Sequence, residues 1–94
     1  MHHRKMTMAS MARAAVALPG GIGTLDELAE IMTWNQLGLF RGPVIIVNTD
    51  GFYDLLIALF ESMQSKGFMR GGRIPAVVVS TPEEAIEVIN NIEK

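Results

Sequence analysis

The residues best suited to chemistry lie in one run, Pro19-Gly20-Gly21-Ile22-Gly23-Thr24-Leu25-Asp26-Glu27. Closely spaced glycines let a backbone approach a ligand and adopt positive φ. A helix that begins directly after them presents its first N–H groups to an anion, most often phosphate. The run is neither a Walker loop, which needs Lys after its last Gly, nor the dinucleotide pattern G-x-G-x-x-G. A tight turn without a ligand is the competing reading, but three glycines in four residues exceed what a plain turn requires.

Thr24 and Glu27 also have the spacing of a capping box, in which the Thr24 hydroxyl accepts the Glu27 N–H and the carboxylate reaches back to Thr24. Thr81-Pro82-Glu83-Glu84 repeats that spacing with no glycines around it, so spacing alone favours capping for Glu27. Asp26, Glu27 and Glu30 suit the positive end of a helix, yet they would repel a phosphate bound there. A carboxylate tolerated so close to an anion site points towards chemistry. Arg4 shares a helical face with Met8 and Met11, where a guanidinium either snorkels to water or meets an anion. Lys5 flanks that face and reads equally well as a solvated lysine.

The elements that must position these groups follow from apolar periodicity. Helices are expected over residues 2–13, 24–39, 52–66 and from 81 onward, the last with Thr81 as its cap. Strands are expected over 14–18, 44–48 and 76–80. Leu25, Leu28, Ala29 and Met32 should form the buried stripe of the second helix, and Leu56, Leu59, Phe60 and Met63 that of the third. Gly67 should end the third helix. All three strands are continuous apolar runs, the pattern of a parallel sheet covered by helices on both faces. Ligands of such sheets sit beyond the carboxyl ends of the strands, where the glycine run lies. The expected fold is therefore a single Rossmann-like α/β domain over 1–94. Three parallel strands leave two apolar edges, and the Met-rich first helix lacks an earlier element to pack on. Pairing with a second copy would answer this, but a preceding piece of the domain answers it better.

Bulk composition removes several function classes. The chain has 94 residues, 49% of them hydrophobic, with a net charge of −2 and no cysteine. Disulfides, thiolate catalysis and Cys-ligated metals are excluded. The basic residues are scattered, apart from Arg4-Lys5 and the pair Arg70 and Arg73, so no field for nucleic acid exists. No apolar run approaches the roughly 20 residues of a membrane span, and no secretory signal follows the N-terminus. A cytosolic location fits.

Two motifs together resemble a known family. Met1-His2-His3-Arg4-Lys5 followed by the run from Pro19 to Glu27 is similar to the paired M-H-x-R-K and P-G-G-x-G-T-x-x-E signatures of the Lonely Guy (LOG) family. These are cytokinin riboside 5′-monophosphate phosphoribohydrolases, often labelled lysine decarboxylases. Thr33-Trp34-Asn35-Gln36-Leu37-Gly38 and Asn48-Thr49-Asp50-Gly51-Phe52-Tyr53 extend the resemblance, which loosens in the last third.

The resemblance implies hydrolysis of the N-glycosidic bond of an adenosine 5′-monophosphate bearing an N6-prenyl group. It implies Arg4 and Glu27 as catalytic groups, and Lys5, Gly20, Gly21, Ile22, Gly23 and Thr24 as the phosphate and nucleotide site. It implies no metal or organic cofactor, and a homodimer. Family members are about twice as long, so the chain is expected to be a fragment, a shortened product, or a frame opened at an internal Met. A non-catalytic nucleotide or molybdenum-cofactor carrier, or an inert remnant, are the alternatives. Lysine decarboxylation would need pyridoxal phosphate on a lysine with partners for its ring and phosphate, a setting absent around Lys5, Lys66 and Lys94.

Overall fold

Short apolar runs bounded by Gly or Pro become the strands of one sheet. The computed structural model describes residues 8–10 and 14–93. In chain order, strand β1 (Met8–Ser10) is followed by β2 (Ala15–Ala17) and helix α1 (Ile22–Gln36). Next come β3 (Val44–Val47), a 3₁₀ turn (Thr49–Gly51) and α2 (Asp54–Ser65). A second 3₁₀ turn (Arg70–Gly72), β4 (Val77–Val79) and α3 (Pro82–Glu93) complete the chain. The strands lie in the order β1-β2-β3-β4, with β2, β3 and β4 parallel. The three expected parallel strands are present.

The helix expected over 2–13 is not what the described part of that segment forms. Met8–Ser10 is a strand, paired antiparallel with β2 in the register Met8↔Ala17, Ala9↔Val16 and Ser10↔Ala15. The edge of β2 carries backbone donors and acceptors that need partners. Satisfying them outweighs helix preferences worth only a few tenths of a kcal/mol per residue. Residues 1–7 and 11–13, with Arg4 and Lys5 among them, lie outside the described residues.

Helices cover both faces of the sheet. Ala15, Ala17, Val44 and Ile46 point to one face, where they meet Leu28, Ile31 and Met32 of α1, Leu56, Ile57 and Phe60 of α2, and Tyr53 just before α2. Two crossovers of one hand between strands in serial order place both helices on the same side. Ile45 and Val47 point the other way, against Ala85, Val88 and Ile89 of α3. All four residues of β3 are buried, as befits a central parallel strand. Burial of Leu28, Ile45, Ile46 and Val47 contributes about 1.5–3 kcal/mol each.

The stripe of α1 is rotated by one residue from the expected one. Thr24, Glu27, Leu28, Ile31 and Met32 are buried, while Leu25 is exposed. Both α1 and α2 end on a glycine with positive φ, Gly38 and Gly67. At α1 the Leu39 N–H donates to the Trp34 carbonyl and that of Gly38 to Asn35; at α2 the N–H of Phe68 reaches Met63 and that of Gly67 reaches Gln64. These are Schellman caps, which require a residue free of the Cβ penalty. No helix among the described residues is long and apolar enough to cross a membrane.

Candidate active site

The glycine run joins the carboxyl end of β2 to α1. The helix begins earlier than the capping box requires: Gly21 is its N-cap and Ile22 its first residue, with the Leu25 N–H donating to the Gly21 carbonyl at 3.1 Å. No side chain caps this end. Thr24 therefore stands inside the first turn and Glu27 in the second, so the capping-box reading of these two residues is wrong. The comparison segment behaves as a cap should. There the Glu84 N–H donates to Thr81 Oγ1 at 3.2 Å, and Glu84 Oε1 accepts from the Ser80 N–H at 2.7 Å.

The early start has an electrostatic consequence. The first turn of α1 contains no acidic residue. Asp26, Glu27 and Glu30 stand beyond it, so the exposed N–H groups at the glycine end keep their positive character. The expected repulsion of a phosphate is correspondingly weaker.

The glycines serve proximity, not unusual dihedrals. None of Gly20, Gly21 and Gly23 has positive φ, contrary to one expectation from sequence. A Cβ on Gly20 would collide with the Thr24 hydroxyl. A Cβ on Gly21 or Gly23 would meet nothing within 4 Å. Gly20 is thus required by the side chain packed beneath it, while Gly21 and Gly23 leave an open approach to the backbone. Ile22 lies between them with its side chain 80% exposed.

Beneath this surface, Thr24 and Glu27 occupy the buried face of α1, at 1% and 7% exposure. Among the described residues, Glu27 Oε1 is buried and has no hydrogen-bond partner. An unsatisfied buried acceptor costs on the order of 1–3 kcal/mol, so its presence beside an open glycine loop calls for a bound partner.

A second loop closes on the first. Asn48 follows β3, and its Oδ1 accepts the Tyr53 N–H at 2.6 Å while its Nδ2 donates to Asp54 Oδ1 at 2.8 Å. Asp50 takes a left-handed conformation (φ 54°), which aspartate tolerates. This turn occupies the start of the helix expected over 52–66 and delays α2 to Asp54. It also aims the Tyr53 hydroxyl at the Leu18 carbonyl, to which it donates at 2.7 Å across 35 residues of sequence. Burial raises the phenol pKa above its ordinary 10.0, so the donor stays protonated. Among the described residues, no three His, Cys, Asp or Glu side chains gather as metal ligands.

Comparison with known proteins identifies the family. A family model described as "Possible lysine decarboxylase" matches residues 1–89. The chain is 44% identical over its whole length to the probable cytokinin riboside 5′-monophosphate phosphoribohydrolase LOGL1 of Oryza sativa subsp. japonica, covering 41% of that protein. It is 43% identical to the cytokinin riboside 5′-monophosphate phosphoribohydrolase LOG7 of Arabidopsis thaliana, covering 42% of it. The identity to LOG of Oryza sativa subsp. japonica is also 43%, over 38% of that protein. The chain belongs to the Lonely Guy (LOG) family. It spans about two fifths of the length of these relatives.

Within this LOG chain the structure brings together Gly20, Gly21, Ile22, Gly23, Thr24 and Glu27 on one loop and the two helical turns after it. Asn48 and Tyr53, which hold the neighbouring loop against this candidate site, are residues that sequence reasoning did not single out. The available signal was an Asn closing a buried strand, an Asp-Gly turn two residues later, and a Tyr that an apolar stripe leaves unexplained.

Proposed function

We propose that the protein is a phosphoribohydrolase, cleaving the N-glycosidic bond of an adenosine 5′-monophosphate, plain or N6-prenylated, to give the free base and ribose 5-phosphate. The observation that carries this reading is Glu27, a buried carboxylate with an oxygen unpartnered among the described residues, on the helix that starts at the glycine loop. A protein that only carries a nucleotide has no use for such a group. The names of the relatives above support the same chemistry.

In this reading the substrate phosphate lies against Gly20, Gly21, Ile22, Gly23 and Thr24, held by N–H groups at the start of α1. Breaking the bond passes through an oxocarbenium-like state. Glu27 stabilises that cation and takes a proton from the attacking water, whose oxygen bonds to C1′ as the C1′–N bond breaks; the electron pair of that bond leaves with the base, which takes up a proton from solvent. Arg4 and Lys5 complete the site, with Arg4 on the phosphate or the departing base, where charge develops. The reaction needs no metal or organic cofactor and takes place in the cytosol.

The active form is a homodimer. Phe52, Leu55 and Leu59 lie one helical turn apart on and just before α2 and are 54%, 87% and 51% exposed. Such a row of large apolar side chains is suited to burial against a second copy. Light scattering on the eluting protein should give twice the protomer mass.

The test uses the intact protein from its own cells, weighed first by mass spectrometry and then assayed for base release from AMP and its N6-isopentenyl derivative. Glu27→Gln should lower kcat by about 10²–10⁴-fold while nucleotide binding persists. Binding without turnover in the intact dimer would overturn the enzyme reading in favour of a carrier.

A further inference from the structure

The opposite rim of the sheet holds a cavity that the nucleotide chemistry does not use. It has a volume of about 290 Å³ and lies at the amino-terminal ends of β3 and β4. Pro43, Val44, Pro75 and Val77 form apolar walls, and Arg41 and Arg73 are the charged residues in its lining. No acidic residue lines it, although the whole chain carries a net charge of −2. The glycine loop follows the carboxyl end of β2, at the opposite end of the parallel sheet.

Both arginines stand on anchored backbone. The Asn35 side chain donates to the carbonyls of Phe40 and Gly42, at 3.1 and 3.2 Å, and so clamps the chain on either side of Arg41. Gln64 donates to the Gly72 carbonyl at 3.0 Å, directly before Arg73. Among the described residues, neither guanidinium has a carboxylate or other hydrogen-bond partner. Two exposed arginines on held backbone, both lining a partly apolar cavity, make an arrangement matched to an oxyanion, since each can offer paired N–H donors to a carboxylate or phosphate.

We propose that this cavity is a second ligand site, which binds a small free oxyanion, a carboxylate or phosphate monoester with a short apolar body, between Arg41 and Arg73. The apolar walls take the body of the ligand and the two arginines its charged end. This site is separate from the glycine loop and is expected to fill independently of it.

The test is a titration of isotopically labelled protein with inorganic phosphate and with succinate, followed by amide NMR at constant ionic strength set with chloride. Saturable shifts at Arg41, Gly42, Arg73, Ala76 and Val77 are expected. Arg41→Gln and Arg73→Gln should each weaken them about tenfold or more, the loss of one charge-assisted pair. Phosphate shifts at Gly20, Gly21 and Gly23 should be unchanged in both variants, which also reports that they fold. Shifts confined to the glycine loop, or shifts at the cavity that rise linearly without saturation, would overturn the proposal. So would an effect of the two variants on oligomeric state alone, because the arginines would then meet an acidic side chain of another protein molecule.

Discussion

Adding one methyl group at Gly20 and at Gly23 should have opposite consequences, and the contrast separates a ligand loop from a plain turn. At Gly20 the new Cβ collides with the Thr24 hydroxyl and approaches Thr24 Cβ to 3.1 Å. Thr24 is 1% exposed and has nowhere to move. Overpacking of this kind costs roughly 1–3 kcal/mol, which lowers Tm by on the order of 5–20 °C for a domain of this size. At Gly23, the second residue of α1, the added Cβ meets nothing within 4 Å. Replacing a helical Gly by Ala should stabilise by about 0.5–1 kcal/mol. The Cβ of a helical residue tilts towards the helix N-terminus, which is where the phosphate is proposed to sit. Gly23→Ala should therefore raise Tm by a few degrees and weaken AMP binding about tenfold or more, the worth of one charge-assisted hydrogen bond. Calorimetric unfolding and AMP titration of the two variants read both quantities. A Gly23→Ala protein that binds AMP as well as the parent would refute the phosphate loop. A Gly20→Ala protein with an unchanged Tm would refute the packing of Thr24 beneath it.

Other substitutions test the supporting structure. Tyr53→Phe deletes the bond to the Leu18 carbonyl and should cost about 1 kcal/mol at neutral pH, visible as a lower urea midpoint. Because burial raises the folded-state pKa of Tyr53 above 10.0, its contribution is complete below pH 10.0 and is lost as pH rises through the folded value. The stability of the parent should therefore fall more steeply above pH 10 than that of Tyr53→Phe, and parallel pH profiles would contradict the assignment. Thr81→Ala removes the cap of α3 and should cost about 1 kcal/mol without changing base release. Leu28→Ala opens a cavity where α1 meets the sheet and should cost about 2–5 kcal/mol, read by chemical denaturation.

The contrast between Thr24 and Thr81 explains how far the sequence could be read. Both begin the pattern Thr-x-x-Glu, but only Thr81, with one residue between it and its strand, stands at the start of its helix and caps it. Ahead of Thr24 the glycines allow the helix to start three residues sooner than a Thr24 cap would, which carries Thr24 and Glu27 round to the sheet. Glycine's permissiveness makes that early start invisible to a pattern search. The strands β2, β3 and β4 were legible because continuous apolar runs between Gly and Pro have few other uses. Residues 8–10 were not, because Met-Ala-Ser has no strong preference and the open edge of β2 decides their conformation. The link from Tyr53 to Leu18 was equally hidden, since it depends on β2 and β3 being neighbours in register. That adjacency joins the two loops at one end of the sheet, with Asn48 holding one and Tyr53 bracing the other. The buried carboxylate of Glu27, whose Oε1 has no partner among the described residues, thus sits on a helix whose leading segment is braced at Leu18 by Tyr53, as a group that must meet a substrate in one geometry requires.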